Sequence, residues 1–188
     1  PARSGETLFE NDGVRLWRLP AVDAGIGIIS FKSKAHAIGG GVLAGMMAAI
    51  ARAEAELSGL VIWHEPPFAV GANLAEVADA CAAGDPERLD ATVAAFQQAT
   101  MAVKYARVPV VAAMQGMALG GGCEFAMHSA KRVLALETYA GLVEAGVGLI
   151  PAGGGCKEFA LQAAEWASRT ATPNEVLAFL QPVFMNIA

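Results

Sequence analysis

Charge is scarce in these 188 residues: Asp, Glu, Lys and Arg together make up 16%. Disordered and solvating segments are charge-rich and poor in apolar residues, and with 55% hydrophobic residues this chain is the reverse. Basic residues are outnumbered, 13 against 18 acidic, and the net charge of −5 lacks the basic footprint of a nucleic-acid binder. Cysteine is limited to Cys81, Cys123 and Cys156, an odd number at wide spacing. That argues against a disulfide scaffold and for a reducing, cytoplasmic setting. No Cys-x-x-Cys or His-Glu-x-x-His arrangement occurs, so no metal site is expected, and no Gly-x-Ser-x-Gly elbow supports a serine hydrolase. Long apolar runs are missing too. The uncharged stretches 35–51 and 108–123 approach the ~18 residues of a membrane span. His36 and Gly39-Gly40-Gly41 interrupt the first, and Pro109, Gln115 and Gly120-Gly121-Gly122 the second, so both read as buried core elements and no span is expected. Pro1-Ala2-Arg3-Ser4-Gly5-Glu6 leads into no apolar signal region and has no initiator Met, as if the chain were excised from something longer.

What is abundant is smallness. Glycine accounts for 21 residues and alanine is plentiful, while aromatics are 7%. The mean hydropathy is +0.44. Small residues let backbones approach one another, or a ligand, closely. The length suits one domain, since domains run to roughly 100–200 residues.

Val14-Arg15-Leu16-Trp17-Arg18-Leu19 alternates as a half-buried strand does, and Ile26-Gly27-Ile28-Ile29-Ser30-Phe31 reads as a second strand, the two forming a hairpin around 20–25. An Ala-rich helix is expected over 43–57, a strand at 60–63, and a helix from Leu74 capped by Asn73. A longer helix is expected over 86–105, with Leu89, Val93, Phe96, Met101 and Tyr105 near one face. Strands follow at 110–114 and 132–136, with a helix over 123–129 between them. Pro173 is placed to start a last helix at Asn174, which Pro182 should kink or end before Met185. Strands and helices in alternation argue for an α/β layered fold.

Two glycine motifs carry little. Gly39-x-Gly41-x-x-Ala44 fits a loose dinucleotide fingerprint, but seven residues separate it from the preceding strand, so NAD binding there is a remote alternative. Gly153-Gly154-Gly155-Cys156-Lys157-Glu158 lacks the Gly-Lys-Ser/Thr ending of a phosphate loop. Glu124 and His128, four apart, read as a hydrogen-bonded helical contact rather than half of a metal site.

Three segments make chemical sense together. Phe68-Ala69-Val70-Gly71-Ala72-Asn73-Leu74 is a turn of mostly small residues leading into a helix, and Gln115-Gly116-Met117-Ala118-Leu119-Gly120-Gly121-Gly122-Cys123-Glu124 is another. Free backbone N–H groups at two helix starts would form an oxyanion hole if they met. Glu124 lies just inside the second helix, and Glu144 stands alone in the apolar run from Leu142 to Pro151. An apolar setting raises a carboxyl pKa toward the working range of a general acid, so two such groups suit proton transfer beside a carbonyl. Taken singly, each feature is as well explained by packing or by a salt bridge.

The pattern Pro109-Val110-Val111-Ala112-Ala113, then Gly116, Ala118, Gly120-Gly121-Gly122 and Glu124, resembles the crotonase superfamily of enoyl-CoA hydratases and isomerases. The resemblance runs from about 14 to about 161 and implies a crotonase-like ββα spiral. Residues 1–188 would form one domain, with 162–188 the start of a C-terminal helical region that is otherwise lacking. It also implies an oxyanion hole from the N–H groups of Ala72 and Gly121, and a catalytic pair in Glu124 and Glu144. The pair resembles hydratases, whereas isomerases usually keep only the later glutamate. Lys34, Ala35, Ala37, Ile38, Gly71, Gly120 and Pro151 would bind substrate, the 34–38 segment passing the CoA moiety with Lys32 or Lys34 at its phosphates. Asn73 departs from the family's usual Asp. Lys34-Ala35-His36-Ala37-Ile38-Gly39 and the segment from Ile150 to Glu158 look like the crotonase part of proteins fused to a 3-hydroxyacyl-CoA dehydrogenase. The implied reaction is hydration of trans-2-enoyl-CoA in fatty-acid β-oxidation. The domain itself would need no cofactor, NAD would belong to a dehydrogenase portion outside this chain, and the full-length protein would be a homo-oligomer. An enoyl-CoA isomerase and a catalytically silent acyl-CoA-binding module are the alternatives.

Overall fold

A computed structural model describes residues 5–169 and 176–185. Six strands form one sheet in the order β1 (Glu6–Glu10), β2 (Val14–Leu19), β3 (Asp23–Phe31), β4 (Gly59–Ile62), β5 (Val110–Met114), β7 (Lys131–Leu134). The first three are antiparallel neighbours; β3, β4, β5 and β7 run parallel, with Ile28 level with Val61 and Val61 with Val111. Parallel strands need crossovers. Here they are α1 (Gly40–Glu56), the pair α2 (Leu74–Ala82) and α3 (Pro86–Tyr105), and then α4 (Gly121–His128). This is the expected α/β spiral. Two three-residue strands, β6 (Met117–Leu119) and β8 (Tyr139–Gly141), pair separately, and α5 (Gly155–Ser168) and α6 (Val176–Met185) close the described chain.

The core lies where α1 and α3 cover the parallel strands. Leu16, Ile29, Ile62, Phe68 and Phe125 are wholly buried in it. Small residues permit the close packing: a Cβ on Gly45 would stand 2.7 Å from Val14 Cβ, so α1 sits directly on β2. Burying a large aliphatic or aromatic side chain here is worth roughly 1.5–3 kcal/mol.

Several expectations need correction. Helix α3 has the expected bounds, fixed by Pro86 at its first turn and by Asp85 accepting from the Arg88 N–H at 2.9 Å. Its inward stripe, however, is Phe96, Ala99, Thr100 and Val103, and Tyr105 is 68% exposed. Helix α1 starts at Gly40 rather than 43, and α4 at Gly121 rather than 123, because glycines supply the first turns. Strand β7 ends at Leu134, and Leu136 is fully exposed. Strands β1, β6 and β8 and helix α5 were not anticipated. Pro173 and Asn174 lie outside the described residues, while α6 continues through Pro182 to Met185 without ending before it. No helix among the described residues is long and apolar enough to cross a membrane.

Candidate active site

Three turns meet at one end of the parallel strands. Segment 68–73 runs beside β6: the Ala69 N–H donates to the Met117 carbonyl and the Leu119 N–H to the Ala69 carbonyl, both at 2.9 Å. On its other side Ile38 donates to the Gly71 carbonyl at 2.8 Å and accepts from the Asn73 N–H at 2.9 Å. Extended backbone alternates its polar groups from side to side, so the N–H of Ala72, between those two residues, faces away from Ile38. Gly71 (φ +105°) and Gly120 (φ +49°) hold left-handed backbone that side chains rarely adopt. They touch: a Cβ on Gly71 would lie 3.8 Å from Gly121 N, and one on Gly120 3.7 Å from Gly71 Cα. Gly121 opens α4, so its N–H has no acceptor within the helix. Both oxyanion candidates, Ala72 and Gly121, thus line one cavity of ~490 Å³.

The same cavity is lined by both glutamates, while its outer wall is apolar, with Leu74 and Val77 from α2 and Leu89 and Val93 from α3. The first half of the predicted α3 stripe therefore faces this cavity and not the core. Glu124 is 3% exposed. Burial pushes its carboxyl up to about 7; the Gly155 N–H, 2.8 Å from Oε1, opposes that rise, and the nearby Glu144 charge adds to it. Glu144 begins a short 3-10 turn (Glu144–Val147), half-buried, and burial raises its pKa too. Its Oε1 is 3.1 Å from where a Gly120 Cβ would stand. Its Oε2 is buried without a hydrogen-bond partner among the described residues, a costly state unless a ligand supplies one.

Gly71 and Gly120 line the cavity with the two glutamates; Lys34, Ala35, Ala37, Ile38 and Pro151 do not. Ile38 is 2% exposed and supports Ala72 from behind. Ala35 (φ 51°) and His36 (φ 56°) form a left-handed kink, fastened by His36 Nδ1 donating to the Pro67 carbonyl at 2.6 Å. Such backbone in non-glycine residues concentrates at functional sites. The His36 ring lies 3.9 Å from that of His64. Burial drives His64 down to about 4, so it is a neutral imidazole whose Nε2–H donates to the Phe68 carbonyl. Lys32 is engaged elsewhere, 2.7 Å from Glu10 and 2.8 Å from the Asn11 carbonyl.

The Gly39–Gly41 motif is occupied by the protein itself. Glu76 Oε2 accepts from the Gly40 N–H at 3.1 Å, and Glu76 Oε1 from the Asn73 amide at 2.7 Å. A carboxylate on the α1 N-terminus leaves no room for a pyrophosphate. Asn73 caps α2 as expected, its side chain accepting from Ala75 N at 3.3 Å. No group of metal-ligating side chains occurs among the described residues. His128 makes the helical hydrogen-bonded contact expected of it, its Nδ1–H donating to the Glu124 carbonyl, whereas Thr100 and the packing of the 153–155 turn on Glu124 are parts of the site that sequence reasoning missed.

A parallel-strand spiral with two glycine turns and two buried glutamates at one cavity has the architecture of a crotonase-type domain. The enoyl-CoA hydratase/isomerase family profile matches residues 21–170, and the chain belongs to that family. It is 41% identical over 154 residues to a Bacillus subtilis protein named "Probable 3-hydroxyacyl-CoA dehydrogenase", covering 80% of this chain and 19% of that one. It is 36% identical over 115 residues to the fatty acid oxidation complex subunit alpha of Shewanella loihica, covering 58% and 16%. The chain thus spans a fifth or less of the length of these relatives. Among solved structures, Thermoplasma volcanium enoyl-CoA hydratase superposes with a TM-score of 0.72 at 20% identity, covering 93% of this chain and 66% of that one. Pseudomonas aeruginosa DspI superposes equally well, 0.72 at 23% identity, over 95% and 82%. At such identities the likeness establishes the fold.

Proposed function

We propose that the chain hydrates trans-2-enoyl-CoA thioesters to 3-hydroxyacyl-CoA, as the hydratase portion of a longer β-oxidation polypeptide that also carries a 3-hydroxyacyl-CoA dehydrogenase. The observation that carries this reading is a pair of glutamates, both with raised pKa, facing one apolar cavity beside Ala72 and Gly121. The N–H groups of Ala72 and Gly121 accept the thioester oxygen and stabilise the negative charge it gains. Both glutamates orient a water. Its oxygen bonds to Cβ, its proton passes to the Glu124 carboxylate, the Cα–Cβ π pair shifts to the Cα–C1 bond, and the carbonyl π pair moves onto the thioester oxygen. Glu144 then delivers a proton to Cα as the carbonyl re-forms, and before the next turnover Glu124 gives up its proton and Glu144 regains one through solvent. The hydrogen-bond pattern supports this division. A backbone donor favours the charged form of Glu124, whereas Glu144 Oε2 has no partner to stabilise a charge.

In the same reading, Lys34, Ala35, Ala37 and Ile38 lie along the CoA moiety, and Pro151 flanks the acyl group. NAD belongs to the dehydrogenase portion. The protein works as a cytoplasmic homo-oligomer, a setting in which Cys81, Cys123 and Cys156 stay free.

The test is hydration of crotonyl-CoA by the natural full-length polypeptide. Glu124→Gln or Glu144→Gln should each lower turnover by roughly 10²-fold or more. Near-native turnover in either variant overturns the assignment. An isomerase would survive loss of Glu124 but not of Glu144, and a silent binding module would bind thioesters equally well in both variants and turn over nothing.

A further inference from the structure

The turn 153–155, unremarkable as a phosphate loop, has a different occupant. Helix α5 opens at Gly155, whose N–H donates to Glu124 Oε1 at 2.8 Å. The positive end of a fourteen-residue helix is therefore aimed at a carboxylate of its own chain. Glycine is required around it. A Cβ on Gly153 would overlap Glu124 Oε2, one on Gly155 would stand 3.1 Å from Oε1, and Gly154 has φ +125°.

Two buried polar side chains, neither used in the proposed reaction, hold this turn. Thr100, on the inner face of α3 and wholly buried, donates its hydroxyl to the Gly153 carbonyl at 2.6 Å. His128 lies one helical turn beyond Glu124 on α4, its side chain 0% exposed. A carbonyl can only accept, so the 2.7 Å contact of His128 Nδ1 with the Glu124 carbonyl fixes the proton on Nδ1. Burial lowers the His128 pKa, which keeps the ring neutral and leaves Nε2 an acceptor for the Lys157 ammonium at 3.0 Å. Lys157 reaches Glu158 Oε1 at 2.7 Å, and Glu158 holds Lys104 of α3 at 2.6 Å. Gly154 packs on the same imidazole: its Cβ would be 2.6 Å from Cε1. One face of the ring thus fixes the backbone of Glu124, and its other nitrogen fixes the start of α5.

We propose that His128 and Thr100 are positioning residues for Glu124, clamping the turn 153–155 from two helices so that the Gly155 N–H stays on the Glu124 carboxylate. This rests on the hydratase reading, in which Glu124 works as a base. The competing explanation is a purely structural polar cluster. The two differ in what happens to the Glu124 proton, because losing the Gly155 donor disfavours the charged carboxylate.

The decisive measurement is the titration of Glu124, followed by NMR of ¹³C-carboxyl glutamate and assigned with Glu124→Gln, in the full-length polypeptide. The charged and titratable groups facing the pair are Glu144, Cys123 and Cys156 around Glu124, and Lys104, Lys157 and Glu158 around His128. All are retained in His128→Leu, Thr100→Val and Thr100→Ser. The midpoint near 7 should rise by about half a unit or more in His128→Leu and Thr100→Val, and stay in place in Thr100→Ser, which keeps the hydroxyl. Crotonyl-CoA hydration should lose roughly tenfold or more in kcat in the first two variants with KM nearly constant, and the acid limb of the kcat profile should move to higher pH. If His128→Leu fails to fold, Thr100→Val and its serine counterpart decide. An unmoved midpoint in folded His128→Leu or Thr100→Val overturns the proposal. A wild-type protein that does not hydrate crotonyl-CoA overturns the hydratase reading instead, and the NMR midpoints still decide whether the clamp exists.

Discussion

Replacing Glu124 with glutamine should raise the stability of the protein while abolishing its proposed chemistry, and should do so only above a certain pH. Glu124 is 3% exposed and its carboxyl is pushed from an ordinary 4.5 to about 7, first by burial. A group whose pKa is raised in the folded state binds its proton more tightly there than when unfolded. Below about pH 4.5 both states are protonated and ionisation contributes nothing. Between about 4.5 and 7 the unfolded chain gives up its proton while the fold retains it, so stability falls as pH rises. Each unit is worth about 1.4 kcal/mol, so the full rise amounts to about 3 kcal/mol by pH 8. Glutamine cannot ionise, keeps an oxygen for the Gly155 N–H, and escapes this loss. Urea unfolding of wild type and Glu124→Gln at pH 4.5, 6 and 8, followed by circular dichroism, measures the difference directly. The variant should match wild type within about 1 kcal/mol at pH 4.5 and exceed it by about 2–3 kcal/mol at pH 8. A gap that does not widen with pH would refute the reasoning, because burial of an ionising Glu124 would then not be opposed by the fold.

Gly120→Ala places a methyl 3.1 Å from Glu144 Oε1 on backbone at φ +49°, and should cost about 1–2 kcal/mol in the melting transition and lower kcat/KM for crotonyl-CoA about tenfold or more. Unchanged kinetics would leave Gly120 a packing residue only. Asn73→Ala removes both the α2 cap and the amide that steadies Glu76 on α1, and should destabilise by about 1 kcal/mol, read as a shift in urea midpoint at constant slope.

Much of this architecture is visible in the sequence because its local signals agree with its tertiary context. Asp85 and Pro86 mark the start of α3, and the alternation in β2 holds over Val14, Arg15 and Leu16, until Trp17, buried like Leu16, breaks it. What escaped notice depends on contacts far along the chain. Strand β1 carries glutamates at both ends and exists by pairing with β2. Helix α5 buries only Gly155, Ala163 and Ala167, too small a stripe to register as periodic hydrophobicity. The outward half of α3 reads apolar at Leu89 and Val93 because it lines a cavity, which blurred the location of the core stripe. The glutamates, glycine turns and Ala72 were legible as a group. The clamp around Glu124 was not, since Thr100 meets Gly153 across 53 residues of chain.

The order of strands in the large sheet has a consequence for biosynthesis. Spatial order, β1-β2-β3-β4-β5-β7, is also the order of emergence from the ribosome, with the small pair β6 and β8 set aside. Each new strand can therefore add to the edge left by the one before, and no strand must wait for a later one to be inserted between neighbours. A nascent chain would grow its sheet in a single direction. The reactive corner would come last, because Glu144 and the turn that holds Glu124 are both made after the sheet is complete.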